Sequence, residues 1–190
     1  MMQIGVIGSG TWGTALAALL IHNGEKATLW SAFEKEAQQI RETRKHPNLP
    51  ETELPENMEI TTDLEKAMDG KDMLVLAVPS IYVRETARKM APFCRKGQII
   101  VNVAKGIEED SLMVLSQVIE EELPQADVAV LSGPSHAEEV SRFLPTTCVV
   151  GAHSRETATS GSRRGAGLAR AAGYRESVLL TGRGWEPCAL

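Results

Sequence analysis

Three glycines, Gly8, Gly10 and Gly13, separate two apolar runs of different kinds. Gln3 to Ile7 is short and β-branched and reads as a buried strand. Thr11 to Asn23 is rich in Ala and Leu, and Asn23-Gly24 supplies a stop signal, so this run reads as a helix. Gly8-Ser9-Gly10-Thr11-Trp12-Gly13 thus satisfies GxGxxG directly after a strand and at the opening of a helix, the context that gives the pattern meaning. Each glycine answers a separate steric demand. Gly8 permits a tight turn, Gly10 lets the backbone approach a pyrophosphate, and Gly13 lets the helix pack closely on the sheet. Phosphates would then meet N–H groups at the positive end of the helix. The ligand this implies is NAD or NADP.

The alternation of strand and helix continues along the chain. Lys26 to Trp30 reads as a second strand, and Phe33 to Arg44 has helical composition. His46 to Asn57 holds Pro47, Pro50 and Pro55 and reads as a loop. Asp63 is a candidate N-cap for a short helix ending at Met68. Met73 to Val78 has no polar residue, as expected of a strand covered on both faces. Helices over Ile81 to Met90, Ser111 to Glu122 and His136 to Arg142 then alternate with strands over Gln98 to Val103, Val128 to Leu131 and Thr146 to Val150. This order predicts an α/β fold of Rossmann type, a doubly wound and mostly parallel sheet.

Composition narrows the function class. The 190 residues are 43% apolar and 24% charged, with a formal net charge of −5. Basic residues never form a run longer than two, so no nucleic-acid or membrane surface is expected. Cys94, Cys148 and Cys188 lie far apart, which argues against a zinc site or a disulfide framework and fits a reducing compartment. The start of the chain carries no basic targeting segment, and no apolar run approaches a membrane span. A cytoplasmic protein is the expectation.

Candidate site residues follow from the rule that open α/β sheets bind ligands at the carboxyl ends of their strands. After the second strand, Glu34 would suit the ribose of NAD and Lys35 the 2′-phosphate of NADP, though both also read as solvated helix residues. Three later loops qualify: Ala77-Val78-Pro79-Ser80, Asn102-Val103-Ala104-Lys105-Gly106 and Ser132-Gly133-Pro134-Ser135-His136-Ala137. Lys105 closes an apolar strand, where a cation is placed to hold a substrate phosphate. Ser135 is either a ligand donor or a helix N-cap. For His136, a structural role is favoured over a catalytic one.

GSGTWGTALA (Gly8 to Ala17), AVPS (Ala77 to Ser80), AKGIE (Ala104 to Glu108) and SGPSHAEEV (Ser132 to Val140) stand in the order and spacing of one known family. Over roughly residues 2–155 the chain resembles the N-terminal domain of bacterial NAD(P)-dependent glycerol-3-phosphate dehydrogenases. The resemblance implies interconversion of sn-glycerol 3-phosphate and dihydroxyacetone phosphate by hydride transfer, feeding phospholipid synthesis, in a protein that is usually a homodimer. It implies cofactor contacts at Thr11, Trp12 and Ala137, beside the fingerprint glycines Gly8, Gly10 and Gly13. It implies contact with both cofactor and substrate at Lys105, and substrate contacts at Gly133 and Ser135. Ala32 falls where the family often has His or Arg at the adenosine end, so the NAD or NADP preference stays open.

Beyond residue 155 the resemblance ends. Net charge is −8 over residues 1–150 and +3 over residues 151–190, and the latter stretch holds seven Gly, six Arg and no Lys. Thr159 to Gly167 has no hydrophobic period. The expected division is a cofactor domain over 1–155 and an atypical tail over 156–190, either disordered or produced by a change of reading frame. The family's proton-acceptor lysine, in a GG-A-KN segment, has no counterpart here, so cofactor binding with impaired turnover is expected and no catalytic residue is assigned. Two alternatives remain: a non-catalytic dinucleotide-binding module, and a fragment of a related β-hydroxyacid-type dehydrogenase, against which AKGIE and SGPSHAEE weigh.

Overall fold

The computed structural model describes residues 1–133, 136–144, 148–152 and 177–181. Its strands are β1 (Gln3–Ile7), β2 (Lys26–Trp30), β3 (Glu59–Thr61), β4 (Met73–Leu76), β5 (Ile99–Asn102), β6 (Asp127–Ser132), β7 (Cys148–Ala152) and β8 (Ser177–Thr181). The helices are α1 (Thr11–His22), α2 (Glu34–Thr43), α3 (Leu64–Met68), α4 (Val83–Met90), α5 (Leu115–Glu122) and α6 (Ala137–Ser141). The strands form one sheet in the order β3-β2-β1-β4-β5-β6-β7-β8. β1 to β6 run parallel, β7 is antiparallel to β6, and β8 is parallel to β7. The chain leaves β1 toward one edge through β2 and β3, then returns to β4 on the other side of β1. That reversal opens a crevice between the carboxyl ends of β1 and β4, the usual ligand position in such folds.

Period-two side chains distribute the strands between two cores. Ile4, Val6, Met73, Val75 and Val101 face α1, α2 and α6, where they meet Leu16, Leu20, Ile40 and Val140. Ile7, Leu74, Leu76 and Ile100 face α3, α4 and α5, where they meet Met68, Val83, Met90, Val118 and Ile119. Helix α1 is buried along its whole length from Gly13 to Leu20, because sheet and α6 both press on it. This explains a helix with no polar stripe. Gly5 serves the opposite face, since a Cβ there would lie 2.2 Å from the Ala67 carbonyl oxygen of α3.

The structure bears out the α/β doubly wound architecture, and the first two strands match the sequence reading end to end. Asp63 caps α3 as expected, its Oδ1 accepting from the Lys66 N–H at 3.1 Å. Several boundaries differ. The strand Glu59–Thr61 was read as no element, because three residues are too few to show a period. Helix α5 starts at Leu115, since residues 107–114 fold back through an Ile107–Val114 bridge. Ile81 lies in a 3-10 turn (Ser80–Tyr82) ahead of α4. The expected strand over Thr146 to Val150 is shifted to Cys148–Ala152, Thr146 lying outside the described residues. The sequence reading placed Ser177–Thr181 in the atypical tail and gave it no element, whereas these residues form β8 of the sheet. Thr159 to Gly167, with the rest of residues 153–176 and 182–190, also lies outside the described residues. No helix among the described residues is long and apolar enough to cross a membrane.

Candidate functional site

The glycine turn is built as the fingerprint requires. Gly8 has φ +121°, and a Cβ there would lie 2.7 Å from the Ala77 carbonyl oxygen at the end of β4. Only glycine tolerates that combination. The Gly8 N–H donates to the Trp30 carbonyl at 3.1 Å, fastening the turn to the end of β2. A Cβ at Gly13 would lie 1.9 Å from the Gly8 carbonyl oxygen, so helix and turn are in backbone contact. At Gly10 a Cβ would meet nothing within 4 Å. Here the open side of the backbone faces a cleft. The Thr14 hydroxyl donates to the Ser9 carbonyl at 2.9 Å and closes the turn from inside.

Gly10 is also the N-cap of α1, with no side-chain cap and no acidic residue in the first turn. The positive end of the helix is therefore left without a neutralising carboxylate of its own, and it points N–H groups toward the cleft. This cradle suits a phosphate.

The cleft has a volume of about 390 Å³ and gathers residues from four strand ends. Gly10, Thr11 and Trp12 come from the turn after β1, and Ala77, Val78 and Pro79 follow β4. Val103, Ala104 and Lys105 follow β5, and His136 and Ala137 open α6. Among the described residues the walls are mainly apolar, and Lys105 brings the one ammonium to them.

The Lys105 loop is shaped by local bonds. The buried Asn102 side chain accepts from the Ala104 N–H at 3.2 Å, and its amide donates to the Ala104 carbonyl at 3.3 Å. Gly106 then turns with φ +115°. Beyond it, Glu108 is held by the Arg84 guanidinium of α4 through two bonds of 2.7 Å, a fork-on-fork pair. Arg84 Nη1 also donates to Glu121 at 2.7 Å and Glu122 at 2.6 Å on α5, and Arg88 adds a 2.9 Å bond to Glu122. The Arg84 guanidinium and the Ser111 hydroxyl hold the Glu108 carboxyl down to about 2.

The structure brings Gly10, Thr11, Trp12, Lys105 and Ala137 together around one cleft, with Gly8 and Gly13 forming the turn behind them. Gly133 follows β6 but does not line the cleft. Ser135 lies outside the described residues. Ala32 is exposed after β2 and away from the cleft lining. Glu34 is already committed, accepting from Arg41 at 2.8 Å and from the Thr62 hydroxyl at 2.7 Å. The loop between α2 and β3 was expected from its prolines, but its contacts with the glycine turn were not. There the Asn48 amide donates to the Thr11 hydroxyl at 2.9 Å, and the buried His46 hydrogen-bonds the Ser9 backbone. Burial pushes the His46 imidazole below its ordinary value, against the opposing pull of Glu36 and that bond to Ser9. A proline-broken loop has no period to betray such contacts.

Residues 3–158 match the family described as NAD-dependent glycerol-3-phosphate dehydrogenase N-terminus. The glycerol-3-phosphate dehydrogenase [NAD(P)+] of Agathobacter rectalis is 54% identical over 159 residues, which make up 83% of this chain and 47% of that protein. The corresponding enzyme of Fusobacterium nucleatum is 52% identical over 159 residues, 82% of this chain and 48% of that one. The crystal structure of glycerol-3-phosphate dehydrogenase from Coxiella burnetii superposes with a TM-score of 0.79 at 28% identity, covering 96% of this chain and 54% of that one. The chain thus spans about half the length of the relatives it matches. By the extent of that match and by the fold that carries it, the chain belongs to the NAD-dependent glycerol-3-phosphate dehydrogenase family, of which it presents the N-terminal domain.

Proposed function

We propose that this chain is the cofactor-binding half of an sn-glycerol-3-phosphate dehydrogenase. The observation that carries this reading is the placing of the open Gly10 backbone, the uncapped start of α1 and the Lys105 ammonium around one apolar cleft. The pyrophosphate of NAD or NADP would lie on Gly10, Thr11 and the first turn of α1. Trp12 and Ala137 would contact the cofactor, and the apolar walls from Val78, Pro79 and Val103 would keep water from the reacting end. When bound, the nicotinamide supplies or takes a hydride.

Lys105 is placed to hold the phosphate-bearing substrate, glycerol 3-phosphate or dihydroxyacetone phosphate, and to fix it against the cofactor. Its loop is pinned from one side by Asn102 and from the other by the Arg84–Glu108 fork, so the ammonium needs little reorganisation. Gly133 and Ser135 would complete the substrate contacts. Oxidation of the substrate hydroxyl also requires a proton acceptor. The family resemblance gives that role to a lysine in a segment beyond the matched residues, and residues 151–190 contain no lysine. These 190 residues taken alone would bind cofactor yet turn over slowly, by roughly 10²–10⁴-fold for the missing acid–base group. Residues 1–155 would form the body of the cofactor domain, to whose sheet Ser177–Thr181 adds an edge strand.

Titration of the purified chain with NADH, followed by quenching of tryptophan emission, tests the reading, because Trp12 lines the cleft. Saturable quenching is expected. A folded chain, judged by circular dichroism, that shows no quenching and no heat of binding would overturn it.

A further inference from the structure

We infer that His46 is a positioning residue for the dinucleotide, tying the glycine turn to the loop between α2 and β3 so that Thr11 stays set at the cleft. The inference rests on the cofactor reading above and deepens it. His46 is buried, and both sides of its ring are engaged. Nδ1 accepts from the Asn48 N–H at 3.2 Å. The ring also hydrogen-bonds the Ser9 backbone between Gly8 and Gly10. That bond favours the protonated ring, so the imidazole donates and the Ser9 carbonyl accepts. The same carbonyl accepts from the Thr14 hydroxyl at 2.9 Å, so loop and helix α1 grip the turn at one atom. The His46 carbonyl accepts from the Leu49 N–H at 2.9 Å and closes a tight turn around Asn48. Asn48 then donates its side-chain amide to the Thr11 hydroxyl at 2.9 Å. Thr11 lines the cleft and, accepting from Asn48, keeps its own hydrogen for a phosphate oxygen. Further along the loop, the Thr52 hydroxyl bonds Ser141 at 2.9 Å on α6, the helix whose first residue, Ala137, lines the opposite wall.

Only a neutral ring makes both bonds. One nitrogen must offer a lone pair to Asn48 while the other offers a hydrogen to Ser9, and a second proton would set N–H against N–H. Burial favours the neutral form and outweighs Glu36 and the Ser9 bond, so protonation falls below the ordinary 6.5. Among the described residues, Glu36 on α2 is the charged group that draws the proton in. From the loop itself, Arg44 donates to the Met58 carbonyl at 3.0 Å, Lys45 is exposed, and Glu51 pairs with Arg142 at 2.6 Å beside the end of α6. The first turn of α1, from Thr11 to Thr14, brings no charge. As the pH falls below 6.5, His46 therefore releases the Asn48 N–H, Asn48 loses its hold on Thr11, and cofactor affinity declines. His136, the imidazole that lines the cleft, acts with the opposite sign, because a proton there attracts the anionic pyrophosphate.

The test is calorimetric titration of the intact 190-residue chain with the acid-stable NAD⁺ from about pH 7.5 to about pH 5, beside His46→Asn and His46→Leu. Circular dichroism confirms at each pH that the chain is folded. One or two lost hydrogen bonds correspond to roughly tenfold in affinity, so the unaltered chain should bind about tenfold more weakly at the acid end. His46→Asn keeps an acceptor for the Asn48 N–H and has no proton to gain. It should bind within a few-fold of the unaltered chain at neutral pH and lose that acid decline. His46→Leu fills similar space without either bond and should bind roughly tenfold more weakly at neutral pH. Undiminished affinity in a folded His46→Leu, or the same pH profile in His46→Asn as in the unaltered chain, would overturn the proposal. The second arm decides the matter if His46→Leu does not fold. A folded, unaltered chain that binds no NAD⁺ at any pH would overturn the cofactor reading itself, an outcome distinct from binding that ignores His46.

Discussion

Substituting alanine separately at Gly13 and Gly10 should divide folding from binding. At Gly13 the new Cβ would sit 1.9 Å from the Gly8 carbonyl oxygen, against the 3.4 Å at which ordinary contact begins. Something must therefore move by about 1.5 Å. The obstacle is backbone and cannot rotate aside. Gly8 cannot retreat, because its own Cβ position is filled by the Ala77 carbonyl and its N–H is held by Trp30. Helix α1 must then lift, and its buried stretch from Thr14 to Leu20 loses its fit to the sheet. Overpacking of this kind costs roughly 1–3 kcal/mol. In a chain of this size that lowers the unfolding midpoint by roughly 2–12 °C. At Gly10 the backbone has φ −63° and ψ 174°, which alanine adopts freely, and the space is open. The entropic gain from losing a glycine and the poorer N-cap nearly cancel, so stability should stay within about 1 kcal/mol. That Cβ would nevertheless project where the pyrophosphate would lie. Thermal unfolding by circular dichroism and NADH titration would be run on both variants. Gly13→Ala should lose stability and binding together, and Gly10→Ala binding alone. Gly13→Ala with an unchanged midpoint, or Gly10→Ala with undiminished NADH affinity, would refute the reasoning.

Further outcomes follow from other parts of the structure. Lys105→Gln should weaken dihydroxyacetone phosphate binding to the NADH-loaded chain by roughly 10–100-fold, measured by calorimetry, while leaving the unfolding midpoint unchanged. The Glu108 carboxyl sits at about 2 in the folded chain against an ordinary 4.5. Its contribution is complete above 4.5 and fades as the pH falls toward 2. The stability difference between the unaltered chain and Glu108→Gln should therefore shrink to nothing across that window in acid-unfolding curves. The Cys148 thiol is buried and pushed up to about 12 by that burial, so in a Cys188→Ser background iodoacetamide should label Cys94 first and Cys148 only on unfolding, as read by mass spectrometry. Asp63→Ala removes the bond to the Lys66 N–H and should cost about 1 kcal/mol in urea unfolding.

The sequence revealed those features that repeat or obey a steric rule. Strand β4 is an unbroken apolar run and β1 and β2 are largely apolar past their first residues, the pattern of strands covered on both faces. Among the fingerprint glycines, Gly8 and Gly13 each remove a backbone clash and Gly10 leaves open space, and Lys105 stood out as a cation just past an apolar strand. What stayed hidden depends on contacts between distant residues. The Ser31 hydroxyl meets Glu36 only because the chain turns sharply from β2 into α2. The partners Thr11 and Asn48 are 37 positions apart, across a loop whose prolines erase any period. The strand Glu59–Thr61 exists only because β2 offers it an edge, pairing Thr28 with Glu59 and Trp30 with Thr61.

Arg84 acts as a counter-ion shared among three carboxylates, two on α5 and one on the strand-end loop that presents Lys105. Remove it, and Glu108, Glu121 and Glu122 face one another with only Arg88 to moderate them. What was adhesive becomes repulsive at a stroke. Added salt should then act with opposite signs on the two proteins. It would loosen the network in the native chain and shelter the crowded carboxylates in an Arg84→Met variant. The loop that carries Lys105 is thus braced by a charge balance struck on its far side.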